Sequence, residues 1–146
     1  MKKNELSRIL DLHQKFLSGE EGGERASLSG ERLQNVSLAI ANLKEAHVRG
    51  ADLERANLQK ANLEGADLRK ASLCGADLRG ANLSGADLRG ALLLCAHLDG
   101  ANLTGARLKG ADLGIASIEQ VFIKGAIMPD GKVFDSDLHN LWELIE

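Results

Sequence analysis

The chain is nearly without aromatic residues: it has no tyrosine, one tryptophan and three phenylalanines among 146 residues. That excludes a conventional aromatic core, so alanine and leucine must fill the interior. Two cysteines, Cys74 and Cys95, are too few for a disulfide scaffold. The sequence opens Met1-Lys2-Lys3-Asn4-Glu5 and continues with mixed polar residues. It lacks an apolar signal core and any long apolar run, which argues against a secretory leader or membrane span and for a cytoplasmic protein. A charge excess of one sign is missing too. The net charge is −3, yet residues 26–130 carry twelve Lys and Arg against twelve Asp and Glu, so the acidic surplus lies in the flanks. Neither half is basic enough to suggest nucleic acid by charge. At this length a single domain is expected.

What the chain does have is a repeat. Twenty consecutive five-residue blocks run from Ala26-Ser27-Leu28-Ser29-Gly30 to Val121-Phe122-Ile123-Lys124-Gly125, on the formula Ala, often Asp or Asn, Leu, any residue, often Gly. A period of five suits neither common element. On a helix it advances 140° per block at about 100° per residue and smears the leucines around the cylinder. On a flat strand an odd period would send successive leucines to opposite faces. A chain that turns a corner once per block resolves the conflict. Ala and Leu, two residues apart, share one side of a short extended segment, and a bend at Gly or its replacement resets the direction. Turning repeatedly in one sense winds the chain into a solenoid. The inward set is Leu28, Leu33, Leu38, Leu43, Val48, Leu every five residues from Leu53 to Leu113, then Ile118 and Ile123. Ala fills the companion site from Ala41 to Ala116.

Blocks such as Ala76-Asp77-Leu78-Arg79-Gly80 and Ala81-Asn82-Leu83-Ser84-Gly85 resemble the pentapeptide-repeat family at every defined position of its A(D/N)LxG consensus. The resemblance implies an all-β solenoid: a right-handed quadrilateral β-helix with four blocks per coil, hence about five coils here. The expected organisation is a capping helix and linker over residues 1–25, the β-helix over 26–130 and a C-terminal helix over 131–146, giving a short α-helix at each end. The N-terminal helix is read from Leu6, Ile9, Leu10, His13, Phe16 and Leu17, spaced i, i+3, i+4, i+7, followed by Gly19 and a Glu/Gly linker. At the far end Pro129-Asp130-Gly131 signals a turn. Leu138, Leu141, Trp142 and Ile145 form an apolar stripe on a helix started by Asp135 or Ser136. This helix is either a cap or, as in several family members, the contact of a homodimer.

With twenty residues per coil, positions twenty apart stack into outward columns. Arg49, Arg69, Arg89 and Lys109 make a basic stripe that Asp67 and Asp87 partly neutralise, so it is either a salt-laced face or an anion surface. Asn42, Asn62, Asn82 and Asn102 make an asparagine ladder. One column breaks the polar pattern: Leu92, Leu94 and Cys95 fill outward positions, with Cys74 one coil earlier and Ile115 one coil later. Such a patch marks a contact surface unless a terminal helix folds over it. The two cysteines, one coil and one residue apart, are expected as free thiols.

Little points to catalysis. Recurring GxxxxG spacing is not followed by GK[ST] and belongs to the corners. His13, His47, His97 and His139 are scattered, without metal-ligand spacing or a nucleophile–base pair. An interior of Ala and Leu leaves no room for substrate. The chain therefore reads as a non-enzymatic structural or protein-interaction module without cofactor or metal, its protein partner unidentified. Candidate contact residues are Leu92, Leu94, Cys95 and Ile115 in the patch and Leu138, Leu141, Trp142 and Ile145 at the C-terminus. The alternative comes from the family branch whose acidic rod mimics DNA, binds gyrase and topoisomerase and confers quinolone resistance. The neutral repeat body departs from that pattern, since a mimic of phosphates needs sustained negative charge.

Overall fold

The computed structural model describes residues 1–134. The expected C-terminal stripe of Leu138, Leu141, Trp142 and Ile145, with its caps Asp135 and Ser136, lies outside the described residues.

From residue 26 onward every block has the same conformation. Its first three residues are extended and its last two form a turn. The second residue pairs, in parallel, with the residue twenty further on: Asn42 with Asn62, Asn62 with Asn82, Asn82 with Asn102, and likewise on the other three sides. Four blocks therefore close one coil, and coils stack directly. Three backbone hydrogen bonds per side tie neighbouring coils, for example Leu63 N to Asn82 O (2.7 Å), Asn82 N to Ala61 O (2.9 Å) and Gly65 N to Ser84 O (2.9 Å). Each side is too short for a continuous strand and pairs through a single bridging residue.

The corners explain the glycines. The Ala N–H of each block donates back to the Leu carbonyl of the preceding block, as Ala81 N does to Leu78 O at 3.0 Å. The fifth residue between them has positive φ, the geometry of a type II turn, which favours glycine. Nine non-glycine residues also adopt it, among them Ile40 (φ 64), Cys95 (φ 57) and Ile115 (φ 49).

Inside, alanine and leucine alternate without a gap. Ala46 to Ala116 and Leu53 to Leu108 are buried, most of them completely. Alanine is required because two large side chains per side would not fit one narrow coil. Packing loosens at the two ends, where Ala41, Val36, Leu113 and Val121 are only half-buried.

Helix α1 (Lys3–Ser18) lies across the N-terminal end. Its apolar stripe turns Leu6 and His13 into the core, with Ile9 and Leu10 packed against it. Gly19 ends it with φ 73, and the bonds Gly19 N to Phe16 O and Glu20 N to Lys15 O make a Schellman closure. The linker then presses back on the helix. Glu24 N donates to Leu12 O at 3.0 Å, and a Cβ on Gly23 would stand 2.3 Å from the Phe16 nitrogen. Only glycine fits there.

The C-terminal end closes differently. Ala126-Ile127-Met128-Pro129-Asp130 starts one further side, with Ile127 paired to Arg107. The turn at Pro129–Gly131 then reverses the chain, so that Val133 pairs antiparallel with Ile127 and Phe134 is buried.

Candidate functional site

The surface has four sides, and three are polar throughout the middle coils. On the first, Asp67 and Asp87 receive two-pronged hydrogen bonds from Arg69 and Arg89, with Nη2 at 2.6 Å from Oδ2 in each pair. Each pair sits within one block because residues two apart point the same way. On a second side Arg79 holds Asp77 in the same fashion, and Gln59 adds a bond at 2.5 Å. These arginines hold all three carboxyls below the ordinary carboxylate range. A depressed carboxyl contributes stability above its unfolded value, and that contribution disappears only as pH falls through the still lower folded value. The basic stripe is therefore half-occupied by its own aspartates, in ion pairs that are half-buried yet open enough to water to be of small worth.

The asparagine column is a ladder in fact. Asn62 Nδ2 donates to Asn42 Oδ1 at 3.2 Å and Asn82 Nδ2 to Asn62 Oδ1 at 3.4 Å. Each Oδ1 also accepts the N–H two residues on, as Asn82 does from Ser84. Its amides are committed to the coil.

The fourth side changes character along the solenoid. It begins charged, with Arg32, Asp52, Glu54 and Arg55, and turns apolar in the later coils. Leu92, stacked between Ser72 and Asp112, is 47% exposed; Leu94 is 42% and Ile115 80% exposed. Cys95 is exposed and Cys74 half-buried with its sulfur 4.0 Å from the Leu92 carbonyl oxygen; both thiols are free. The block stacked one coil later shows how closely this side is laid down. A Cβ on Gly114 would meet Leu94 Cδ1 at 2.9 Å. A larger residue there would have to turn the Leu94 side chain aside, and Ile115 takes the left-handed corner where glycine usually stands.

The structure thus brings Leu92, Leu94, Cys95 and Ile115 onto one side. Leu138, Leu141, Trp142 and Ile145 fall outside the described residues. Sequence reasoning passed over two exposed apolar residues near the same end, Phe122 and Val133. Phe122 stacks directly on Asn102, so the asparagine column ends in an aromatic ring. That substitution was visible in the repeat as a break at the second position of its block. Among the described residues no group of three His, Cys, Asp or Glu is placed to hold a metal ion. No described helix is long and apolar enough to cross a membrane.

With this geometry in view, the family model for pentapeptide repeats matches in eight copies over residues 24–59, 56–93 and 81–114. The chain belongs to the pentapeptide-repeat family. Among solved pentapeptide-repeat proteins it is similar to HetL, involved in heterocyst differentiation regulation in the cyanobacterium Nostoc sp. strain PCC 7120, at 34% identity and a TM-score of 0.35. The match covers 76% of this chain and 63% of HetL, so the chain spans less than two-thirds of that protein. A second Nostoc pentapeptide-repeat protein is 34% identical over 78% of this chain and 93% of its own, with a TM-score of 0.42. A third, from the Arabidopsis thaliana thylakoid lumen, is 34% identical over 75% of this chain and 69% of its own, with a TM-score of 0.37. No curated protein matches the chain.

Proposed function

We propose that this pentapeptide-repeat chain is a non-enzymatic interaction module that binds a protein partner through the apolar side formed by Leu92, Leu94, Cys95 and Ile115. The observation that carries this reading is the exposure of three large aliphatic side chains together on one side, whereas Ile40, Phe122 and Val133 are exposed on other parts of the surface. Ile115 adds weight. A β-branched residue at positive φ is strained, and glycine would fold there more easily. Strain kept at an exposed apolar position favours a role in contact. We infer the right-handed, four-sided β-helix of the family as the scaffold, and the cytoplasm as a compartment that suits two free thiols. The stripe Leu138, Leu141, Trp142 and Ile145 is a second candidate surface, for pairing two copies. The arginine-bound aspartates speak against a DNA mimic, whose surface must stay negative.

The test compares wild type with Leu94→Glu by native mass, melting temperature and recovery of partners from the native host. The expected result is loss of a partner or of self-association with melting unchanged. If mass, melting and bound proteins all stay as in wild type, the patch has no such role. In a gyrase supercoiling assay the protein is expected to be inert at micromolar concentration, and inhibition would favour the DNA-mimic reading.

A further inference from the structure

The N-terminal cap contains a titratable group in an unusual place. His13 is completely buried at the junction of α1, the linker and the first coil. Its Nδ1 accepts the backbone N–H of Ala26 at 3.0 Å, the residue that begins the first coil. Its Nε2 is buried without a hydrogen-bond partner. The ring stacks on Phe16 with centroids 5.9 Å apart, and Arg25 lies over the other part of that stack, 5.0 Å from the Phe16 centroid. Arg25 in turn pairs with Glu45 at 3.4 Å.

We propose that His13 is an acid-sensitive latch that holds α1 over the N-terminal end of the solenoid. The neutral imidazole can accept the Ala26 N–H; the imidazolium cannot, since both its nitrogens are donors. Protonation therefore sets a donor against a donor in a buried place and leaves the Ala26 N–H unsatisfied. The charged groups facing the ring are Arg25 from the linker, which opposes protonation, and Glu45 from the first coil, which favours it. The Lys44 carbonyl from the same coil also favours the charged form, without completing a bond to Nε2. Burial outweighs them and pushes the imidazole below its ordinary 6.5. The sign follows. A base whose folded value is lowered contributes stability in full above the unfolded value, and loses it as pH falls from there to the folded value.

When the latch opens, α1 leaves the first coil. In every later coil the second residue of each block donates its N–H to the coil below, as His47 does to Ala26 O. The first coil has no coil below it, so Ser27, Arg32, Ser37 and Asn42 would present an open edge over an apolar end. Mild acid thus changes one end of the solenoid and leaves the other as it was. The carboxyls held by Arg69, Arg79 and Arg89 respond only at lower pH, below the ordinary carboxylate range.

The test uses the whole chain. The imidazole of His13 is titrated by NMR beside those of His47 and His97, and amide exchange is measured at Ala26 and Gly125 between pH 7.5 and 5. Gly125 is the reference, because its N–H donates to the Phe134 carbonyl at the opposite end, where no imidazole of the described residues takes part. His13 is expected to titrate below 6.5, and Ala26 to lose protection roughly tenfold for each unit of that depression, with Gly125 unchanged. In His13→Asn, whose Oδ1 takes the place of Nδ1 and does not titrate, Ala26 protection is expected to be flat across the range. A His13 that titrates at or above 6.5 overturns the latch, and this needs no variant. Equal loss at Ala26 in wild type and His13→Asn, or equal loss at Ala26 and Gly125 in wild type, overturns it as well.

Discussion

The two ends of the solenoid meet the same demand by different means. Both must cover an apolar interior and satisfy a row of backbone groups that no further coil will pair. At the C-terminal end the chain itself turns back. Val133 pairs with Ile127, Phe134 N donates to Ala126 O at 2.8 Å, and Gly125 N donates to Phe134 O at 2.7 Å. Among the described residues, backbone continues the ladder and the Phe134 ring covers the core. At the N-terminal end a helix lies across the opening. A helix spends its own backbone groups internally, so it closes the end with side chains, and an imidazole accepts the first N–H of the coil. Closure by backbone is insensitive to pH, whereas closure by a side chain inherits that side chain's titration.

The comparison can be broken at the C-terminal end first. Phe134→Ala removes a buried ring and is expected to cost about 3–5 kcal/mol, with the loss equal at pH 7.5 and pH 5. Thermal melts at the two pH values measure it, and a loss of less than about 1 kcal/mol would mean that Phe134 does not hold the end. The middle of the solenoid supplies the standard against which both ends are judged. Ala81→Leu should overpack the coil and cost roughly 1–3 kcal/mol or more. Ala41→Leu, in the half-buried first coil, should cost clearly less. Equal costs in denaturant melts would mean that the first coil is packed as tightly as the centre. The smallest effect belongs to the strained corner of the apolar side. Ile115→Gly relieves a left-handed residue worth roughly 1–2 kcal/mol and adds chain entropy of about 0.5–1 kcal/mol in the opposite direction. A net gain of at most about 1.5 kcal/mol is expected, together with weaker partner binding if the proposed surface is correct. A destabilised variant would show that the Ile115 side chain packs more than its 80% exposure suggests.

The interior was legible because its rule is local. Ala and Leu two residues apart must share a side, and a five-residue period must turn, so burial of Leu53 to Leu108 follows from the letters. The apolar break at Leu92, Leu94 and Ile115 was legible for the same reason, as a departure from a strict pattern. What escaped depends on contacts between distant segments. The sequence puts His13 on the same stripe as Leu6, Leu10 and Phe16, but cannot say that its Nδ1 meets the N–H of Ala26 thirteen residues on. Pro129-Asp130-Gly131 announces a turn, yet the return of Val133 to Ile127 and the burial of Phe134 require the register of a particular pair. Phe122 escaped for a plainer reason: the asparagine column was followed to Asn102 and not one coil further.

The pairing of each residue with the one twenty positions away has a consequence for how such a chain can change in length. Loss or gain of one block keeps the local formula intact and every corner sound. Yet it carries all later residues round by a quarter turn, so that a change just before Leu92 would set it over a different column, and one between Leu94 and Gly114 would part that pair. A whole coil can be inserted without moving any column. Length in this fold is thus an address, readable modulo twenty, and only whole-coil edits leave the mail where it was sent.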